Sequence, residues 1–170
     1  MRVAPSHTIH NTKDLRRRRG RLDGRYRTGE ECFWRNVLGG AASARFHRPP
    51  AGRGLSPPAQ AHIRSARMIA HRMDFFAAVP RNDLLSDRQP NEAYLRCIPG
   101  RQYVVYCPDG GAVKLDVSGV KAELQVRWLE IARTAWQPPR DARGGGTLEL
   151  NAPGKGHWAV LIVAKDQDKQ

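Results

Sequence analysis

Long apolar runs are missing from this sequence. No stretch approaches the roughly 20 consecutive apolar residues of a membrane-spanning helix, and no hydrophobic core follows the first basic residues as a secretory signal would require. A transmembrane segment and an export signal are therefore not expected, and the compartment stays unassigned. Cysteine is scarce, with three residues in 170. Cys32, Cys97 and Cys107 lack the paired spacing of a zinc site. Cys97 and Cys107 fall in neighbouring predicted strands and read as buried free thiols that pack as small hydrophobes. His7, His10, His62 and His71 show no ligand-like spacing with acids or cysteines, so neither a metal centre nor a cofactor is expected. Acidic residues are also few, 16 against 29 Lys and Arg, for a net charge of +13.

That charge is uneven. Residues 1–31 hold nine basic and four acidic residues, residues 32–91 nine and three, and residues 92–170 eleven and nine. The basicity sits ahead of the strand-rich part, in the segment with least apolar periodicity. Arg16–Arg19, Arg21, Arg25 and Arg27 lie among Gly, Asp and Thr, and residues 1–31 read as a disordered basic tail. A nucleic-acid arm is the alternative, but no aromatic-rich basic surface follows to serve it, and no specific nucleic acid is expected.

Residues 31–38 end an amphipathic helix whose stripe is Phe33, Trp34, Val37 and Leu38, stopped by Gly39-Gly40. A short strand of small residues runs to His47. A helix followed by such a strand implies a parallel partner, and the chain offers none. Ser56-Pro57 opens the clearest helix, with Ser as N-cap and Pro in the first turn. Ala59, Ile63, Ala66, Ile69, Met73 and Phe76 form its stripe, so it is expected to run to Ala77 and to need a surface to lie on.

The remainder reads as strands. Glu92–Ile98 leads through Pro99-Gly100 to Gln102–Cys107. Asp109-Gly110-Gly111 supplies residues that tolerate positive φ in a tight hairpin to Ala112–Val117. Ala122–Ile131 alternates until Trp128-Leu129, where two large apolar neighbours suggest a bulge or bend. Trp136–Gly146 reads as a Pro/Arg/Gly loop. Thr147–Asn151, a turn at Pro153–Gly156, and His157–Ala164 complete about six strands. Their regular turns argue for a small antiparallel β-sandwich.

The chain from about Phe33 to Ala164 resembles the C-terminal end of bacterial apiosidase-like glycoside hydrolases. The resemblance is carried by Phe33-Trp-Arg-Asn36, Gly39 to Pro49, Gly54-Leu-Ser56, Ala66-Arg-Met68, Arg81-Asn-Asp-Leu-Leu85, Asn91-Glu-Ala-Tyr94, Pro99-Gly-Arg-Gln-Tyr103, Val105-Tyr106, Asp109-Gly-Gly111 and Val126-Arg-Trp-Leu129. In these proteins a (β/α)8 barrel precedes a β-sandwich labelled as collagen-binding. The resemblance implies that residues 32–90 are a barrel-derived helix-strand-helix remnant with a linker. Helix 31–38 would be the seventh barrel helix, Ser43–His47 the last barrel strand, and Ser56–Ala77 the closing helix. Residues 91–165 would be the sandwich. The overall fold class is then mostly β, preceded by a helical remnant and the basic tail.

Glycoside hydrolysis needs two carboxylates flanking the scissile bond. Between residues 32 and 91 only Asp74, Asp83 and Asp87 are acidic, and none sits at the C-terminal end of a strand, where barrel chemistry is placed. No catalytic residue is assigned. Arg45, His47 and Arg48 would lie on the catalytic face of a complete barrel and contact substrate there. Trp128 and Trp158 fall in apolar alternation and read as core. Trp136, beside Pro138-Pro139, is the surface-binding candidate. The expected function is an accessory β-sandwich binding module of a glycoside hydrolase-like protein, without catalysis of its own. Its partners would be a polysaccharide or collagen-like protein and, in full-length relatives, the rest of a glycosidase barrel. The alternatives are a glycoside hydrolase fragment acting on plant or bacterial polysaccharide, and a basic nucleic-acid-binding protein. The sandwich is expected to fold alone, with residues 31–80 loosely attached because the Ser56–Ala77 stripe lacks a partner.

Overall fold

The computed structural model describes residues 21–22, 25–26, 29–41, 55–89 and 91–165. From the basic tail, β1 (Arg21–Leu22) and β2 (Arg25–Tyr26) pair as an antiparallel ribbon. The expected strand Ser43–His47 and residues 1–20 of the tail expected to be disordered over 1–31 fall outside the described residues, whereas the ribbon and the first residues of α1, from Gly29, lie within that tail and are ordered elements.

Two helices follow. α1 covers Gly29–Leu38 and α2 covers Pro57–Ala70. At the start of α2 the Ser56 hydroxyl accepts from the Ala59 N–H at 3.3 Å, as the Ser-Pro pair predicts. α2 ends seven residues before Ala77. The Asp74 carboxylate accepts from the N–H groups of Phe76 and Ala77, and this local turn competes with helix. Phe76, expected on the buried stripe, is wholly exposed, while Phe75 packs inward. No helix among the described residues is long and apolar enough to cross a membrane.

The strands are β3 (Val79–Pro80), β4 (Leu85–Ser86), β5 (Tyr94–Ile98), β6 (Gln102–Cys107), β7 (Ala112–Asp116), β8 (Glu123–Glu130), β9 (Ala135–Trp136), β10 (Arg140–Arg143), β11 (Thr147–Asn151) and β12 (Trp158–Ala164). They form two antiparallel sheets. The larger has the order β10-β8-β12-β6-β5-β3, with β9 also on β8, and the smaller has the order β11-β7-β4. The fold is mostly β, as expected. β5 and β6 are a hairpin across Pro99-Gly100. β6 and β7 are not. β6 pairs with β5 and β12, and β7 pairs with β11 and β4. The turn at Asp109-Gly110-Gly111 therefore carries the chain from one sheet to the other. Its two glycines do adopt positive φ, 74° and 85°.

The inner faces of the sheets enclose one core. Leu95, Val105, Leu124, Val126, Trp128, Val160 and Ile162 of the large sheet meet Val113, Leu115 and Leu150 of the small one. Cys97 and Cys107 lie here as buried free thiols. Trp128 and Trp158 lie here too, edge to face.

The large sheet is also covered on its outer face, which corrects the expectation of an unpartnered helix. Phe33, Trp34 and Leu38 of α1, Ala66 and Ile69 of α2, and Met73 pack on Tyr94, Val104, Tyr106, Leu129, Ala159 and Leu161. Ile69 is fully buried, and burying such a side chain stabilises by about 2 kcal/mol. The molecule thus has three layers: small sheet, large sheet, helices. Burial on both faces accounts for the near-continuous apolar runs of β6 and β12.

It also accounts for Trp128-Leu129. β8 pairs with β12 without interruption from Leu124 to Glu130, so β8 has no bulge against β12. Trp128 simply faces the sandwich core and Leu129 the helical layer. The extra residue sits on the neighbouring chain. Leu129 pairs with Trp136 and Val126 with Arg140, which places residues 137–139 opposite 127–128. Pro138-Pro139, which bring no N–H, occupy that bulge. The segment read as a loop from Trp136 to Gly146 thus holds the end of β9 and the edge strand β10.

Candidate functional site

Two groupings of polar and aromatic side chains stand out, one buried and one open. The buried one locks α1 and α2 to the sheet. The Trp34 indole donates to His62 Nδ1 at 2.9 Å, so that nitrogen is bare and the ring proton sits on Nε2. The His62 ring meets the His157 ring edge to face at 4.8 Å. His157 Nδ1 and the Tyr106 hydroxyl share a hydrogen bond of 2.7 Å. Tyr106 stacks on Trp34 with centroids 5.0 Å apart, and the Ser65 hydroxyl donates to the Ile131 carbonyl. Burial, with the nearby His157 charge opposing protonation, holds His62 down at about 4, against the weaker pull of Glu30. Burial, with Glu31 and Glu30 nearby, pushes the Tyr106 phenol far up. Trp34 and Tyr106 are inaccessible to solvent, so this cluster fastens the helical layer to the sheet. His62 and His157 are 95 positions apart, and no spacing in the sequence pairs them.

Arg96 fastens the same layers nearby. It is a buried guanidinium that donates to the carbonyls of Leu38 and Phe75. Its Nε is buried without a partner.

The open grouping lies where the helical layer stops. Early in β8 the outward residues Gln125 and Arg127 are not fully covered, whereas Leu129 is buried. The change marks the edge of the ground that the helices cover. Beyond it lies a cleft of about 320 Å³ lined by Arg72, Gln102, Gln125, Arg127, Leu161 and Val163. Leu161 and Val163 of β12 give it an apolar floor. Trp136 stands at its side, half-buried, with the guanidinium carbons of Arg72 and Arg127 at 5.5 and 5.4 Å from its ring centre. The Arg127 Nε donates to the Gln137 carbonyl at 3.0 Å. The Gln102 amide nitrogen donates to the Arg72 carbonyl at 3.0 Å, which leaves its carbonyl oxygen as an acceptor. At the rim, Glu123 and Asp141 are both tied to Lys165.

The arrangement sets an apolar floor among planar amides and guanidinium groups, with an indole at its side, and such groups can bond hydroxyls or anions. Trp136, the surface candidate of the sequence, is at its side. Arg72, Gln102, Gln125 and Arg127 were not singled out. The polar outward residues of β8, set against the doubly apolar Trp128-Leu129, were the available signal. Arg45, His47 and Arg48 lie outside the described residues.

A second cleft of about 380 Å³ opens between the sheets, beside Arg88, Glu92, Asp109 and Gly110. The three carboxylates weighed for catalysis are scattered and engaged. Asp74 caps its turn, Asp83 accepts a forked pair of hydrogen bonds from Arg81 Nε and Nη2, and Asp87 is bound by Lys114 at 2.6 Å. Among the described residues no group of three or more His, Cys, Asp and Glu side chains is placed to hold a metal ion.

No family model and no curated protein matches the sequence. Fourteen chains of solved structures match the fold. One is a glycoside hydrolase of family 5 from Bacteroides vulgatus, with a TM-score of 0.65, 12% identity, and 82% of this chain aligned to 36% of that one. Another, titled a glycoside hydrolase, has a TM-score of 0.53 and 15% identity, with 74% of this chain aligned to 31% of that one. The chain thus has the fold of part of these glycoside hydrolases and spans about a third of their length.

Proposed function

We propose that this chain is the accessory binding module of a glycoside hydrolase-related protein, and that it holds a polysaccharide in the cleft beside Trp136 without turning it over. The observation that carries this reading is the cleft at the edge of the helical layer, with its indole, apolar floor and convergent amide and guanidinium groups. The likeness of fold to parts of glycoside hydrolases supports the setting. So does the sequence resemblance to the end of an apiosidase-like enzyme. On this reading residues 32–90 derive from a barrel, and the helices that once closed it now cover the sandwich. The absence of turnover is proposed because Asp74, Asp83 and Asp87 are engaged in separate local contacts.

Affinity electrophoresis of the full chain against soluble plant and bacterial polysaccharides, neutral and acidic, tests the reading. A collagen-like triple-helical peptide is the parallel arm for the other ligand of the resembled domain. At least one polysaccharide is expected to retard the chain, and Trp136→Ala to lose about tenfold in affinity, since a large aromatic contact at a binding site is lost with it. Retardation by the peptide alone, or binding indifferent to Trp136, overturns it. Turnover of aryl-glycosides that disappears in Asp83→Asn or Asp87→Asn overturns the non-catalytic part.

A further inference from the structure

The charge of the cleft points to the chemical class of its ligand. All the ionisable side chains that line it are guanidinium groups, Arg72 and Arg127. They are fixed from different elements. Arg72 follows α2, and its backbone carbonyl is held by the Gln102 amide. Arg127 projects from β8 and is anchored through Nε to the Gln137 carbonyl. That anchor uses the inner nitrogen and leaves the terminal nitrogens, the fork that grips a carboxylate in two parallel hydrogen bonds. Glu123 and Asp141, which register and alternation put on the same face of the sheet as Gln125, are drawn to Lys165 and so present less negative charge to the cleft. A neutral sugar needs hydrogen-bond partners but gains little from two cations beside one indole. A sugar carrying a carboxylate gains from all three.

Resting on the saccharide reading above, we infer that the cleft takes an acidic polysaccharide, with uronate carboxylates bound by Arg72 and Arg127, whose guanidinium groups the Trp136 ring braces. A nucleic acid is the other polyanion to weigh. The cleft offers a single aromatic rather than a succession of stacking platforms, and its amides from Gln102 and Gln125 suit hydroxyl groups. These features favour the uronate.

Isothermal titration with alginate oligosaccharides, with the same oligosaccharides after carboxyl reduction, and with a single-stranded oligonucleotide of matched charge tests the inference. The acidic sugar is expected to bind at least tenfold more tightly than its reduced form. Arg72→Gln and Arg127→Gln should each lower affinity for the acidic sugar at least fivefold more than for its reduced form, and so remove most of that preference. Arg72 is exposed, so its variant is informative even if Arg127→Gln disturbs β9. Raising salt from 50 to 500 mM should narrow the preference. Equal binding of acidic and reduced sugar overturns the inference and leaves the saccharide reading standing. Tighter binding of the oligonucleotide than of alginate overturns it in favour of nucleic acid. Failure of alginate and of every polysaccharide in the panel above removes both.

Discussion

Acidification should loosen this protein through His62, by an amount that can be worked out. In the folded chain the Trp34 indole donates to His62 Nδ1. A proton on that nitrogen would set two donors against each other. The faces around His62 bring the ring of His157, the Tyr106 phenol bonded to it, and Glu30 and Glu31 of α1. Burial dominates and holds His62 at about 4 against an ordinary 6.5. The unfolded chain therefore takes up this proton first. The stabilising effect is complete above pH 6.5 and is lost as pH falls toward 4. The loss attributable to His62 is about 2 kcal/mol at pH 5 and about 3 kcal/mol at pH 4. His62→Gln keeps an acceptor for Trp34 but cannot titrate. Urea unfolding followed by circular dichroism at pH 7.5 and pH 5.0 compares the two proteins, and the carboxylates they share cancel in the difference. The parent should lose about 2 kcal/mol more than His62→Gln between these values. Equal losses would show that His62 is protonated in the folded state and that the Trp34 bond does not hold the layers as described.

Two further outcomes follow from packing. Ile69→Ala should destabilise by about 3 kcal/mol, comparable to Leu124→Ala in the sandwich core, because both side chains are fully buried. A midpoint unchanged by Ile69→Ala in thermal unfolding would mean that α2 is not docked. Gly110→Ala should cost about 2 kcal/mol or more and Gly111→Ala only about 1 kcal/mol, although both have positive φ. A methyl group at Gly110 would collide with the Gly154 carbonyl, whereas at Gly111 it meets open space. Identical urea midpoints for the two variants would contradict this close approach of the turns.

Local chemistry was legible in the sequence and long-range pairing was not. The Ser56 cap, the Pro99-Gly100 hairpin, β11 and β12 depend on neighbours a few residues away, and they appear where pattern and turn residues place them. Trp128 and Trp158 could be assigned to a core from alternation alone. The turn at Asp109-Gly110-Gly111 shows the limit. Its residues specify positive φ, but nothing local tells whether the strands on either side pair with each other or with β12 and β11. The same ambiguity turned Trp128-Leu129 into an apparent bulge, because burial on both faces of β8 depends on helices more than fifty residues earlier. β10, Arg140-Asp-Ala-Arg143, carries too much charge to announce a strand, as suits an edge. The end of α2 depended on one competitor, Asp74, whose side chain captures two backbone N–H groups that a longer helix would have used.

The place of β12 has a consequence for synthesis. It lies between β6 and β8, yet it is the last of the described strands to leave the ribosome. Until it arrives, no hydrogen bonds join β5–β6 to β8–β10, and each half offers an open edge of backbone donors and acceptors flanked by Val, Tyr and Leu. Such edges invite pairing with other nascent chains. Assembly of the large sheet is thus deferred until β12 has emerged. A chain ending at Gly156 would carry most of the core residues and still have no means of joining the two halves of the large sheet.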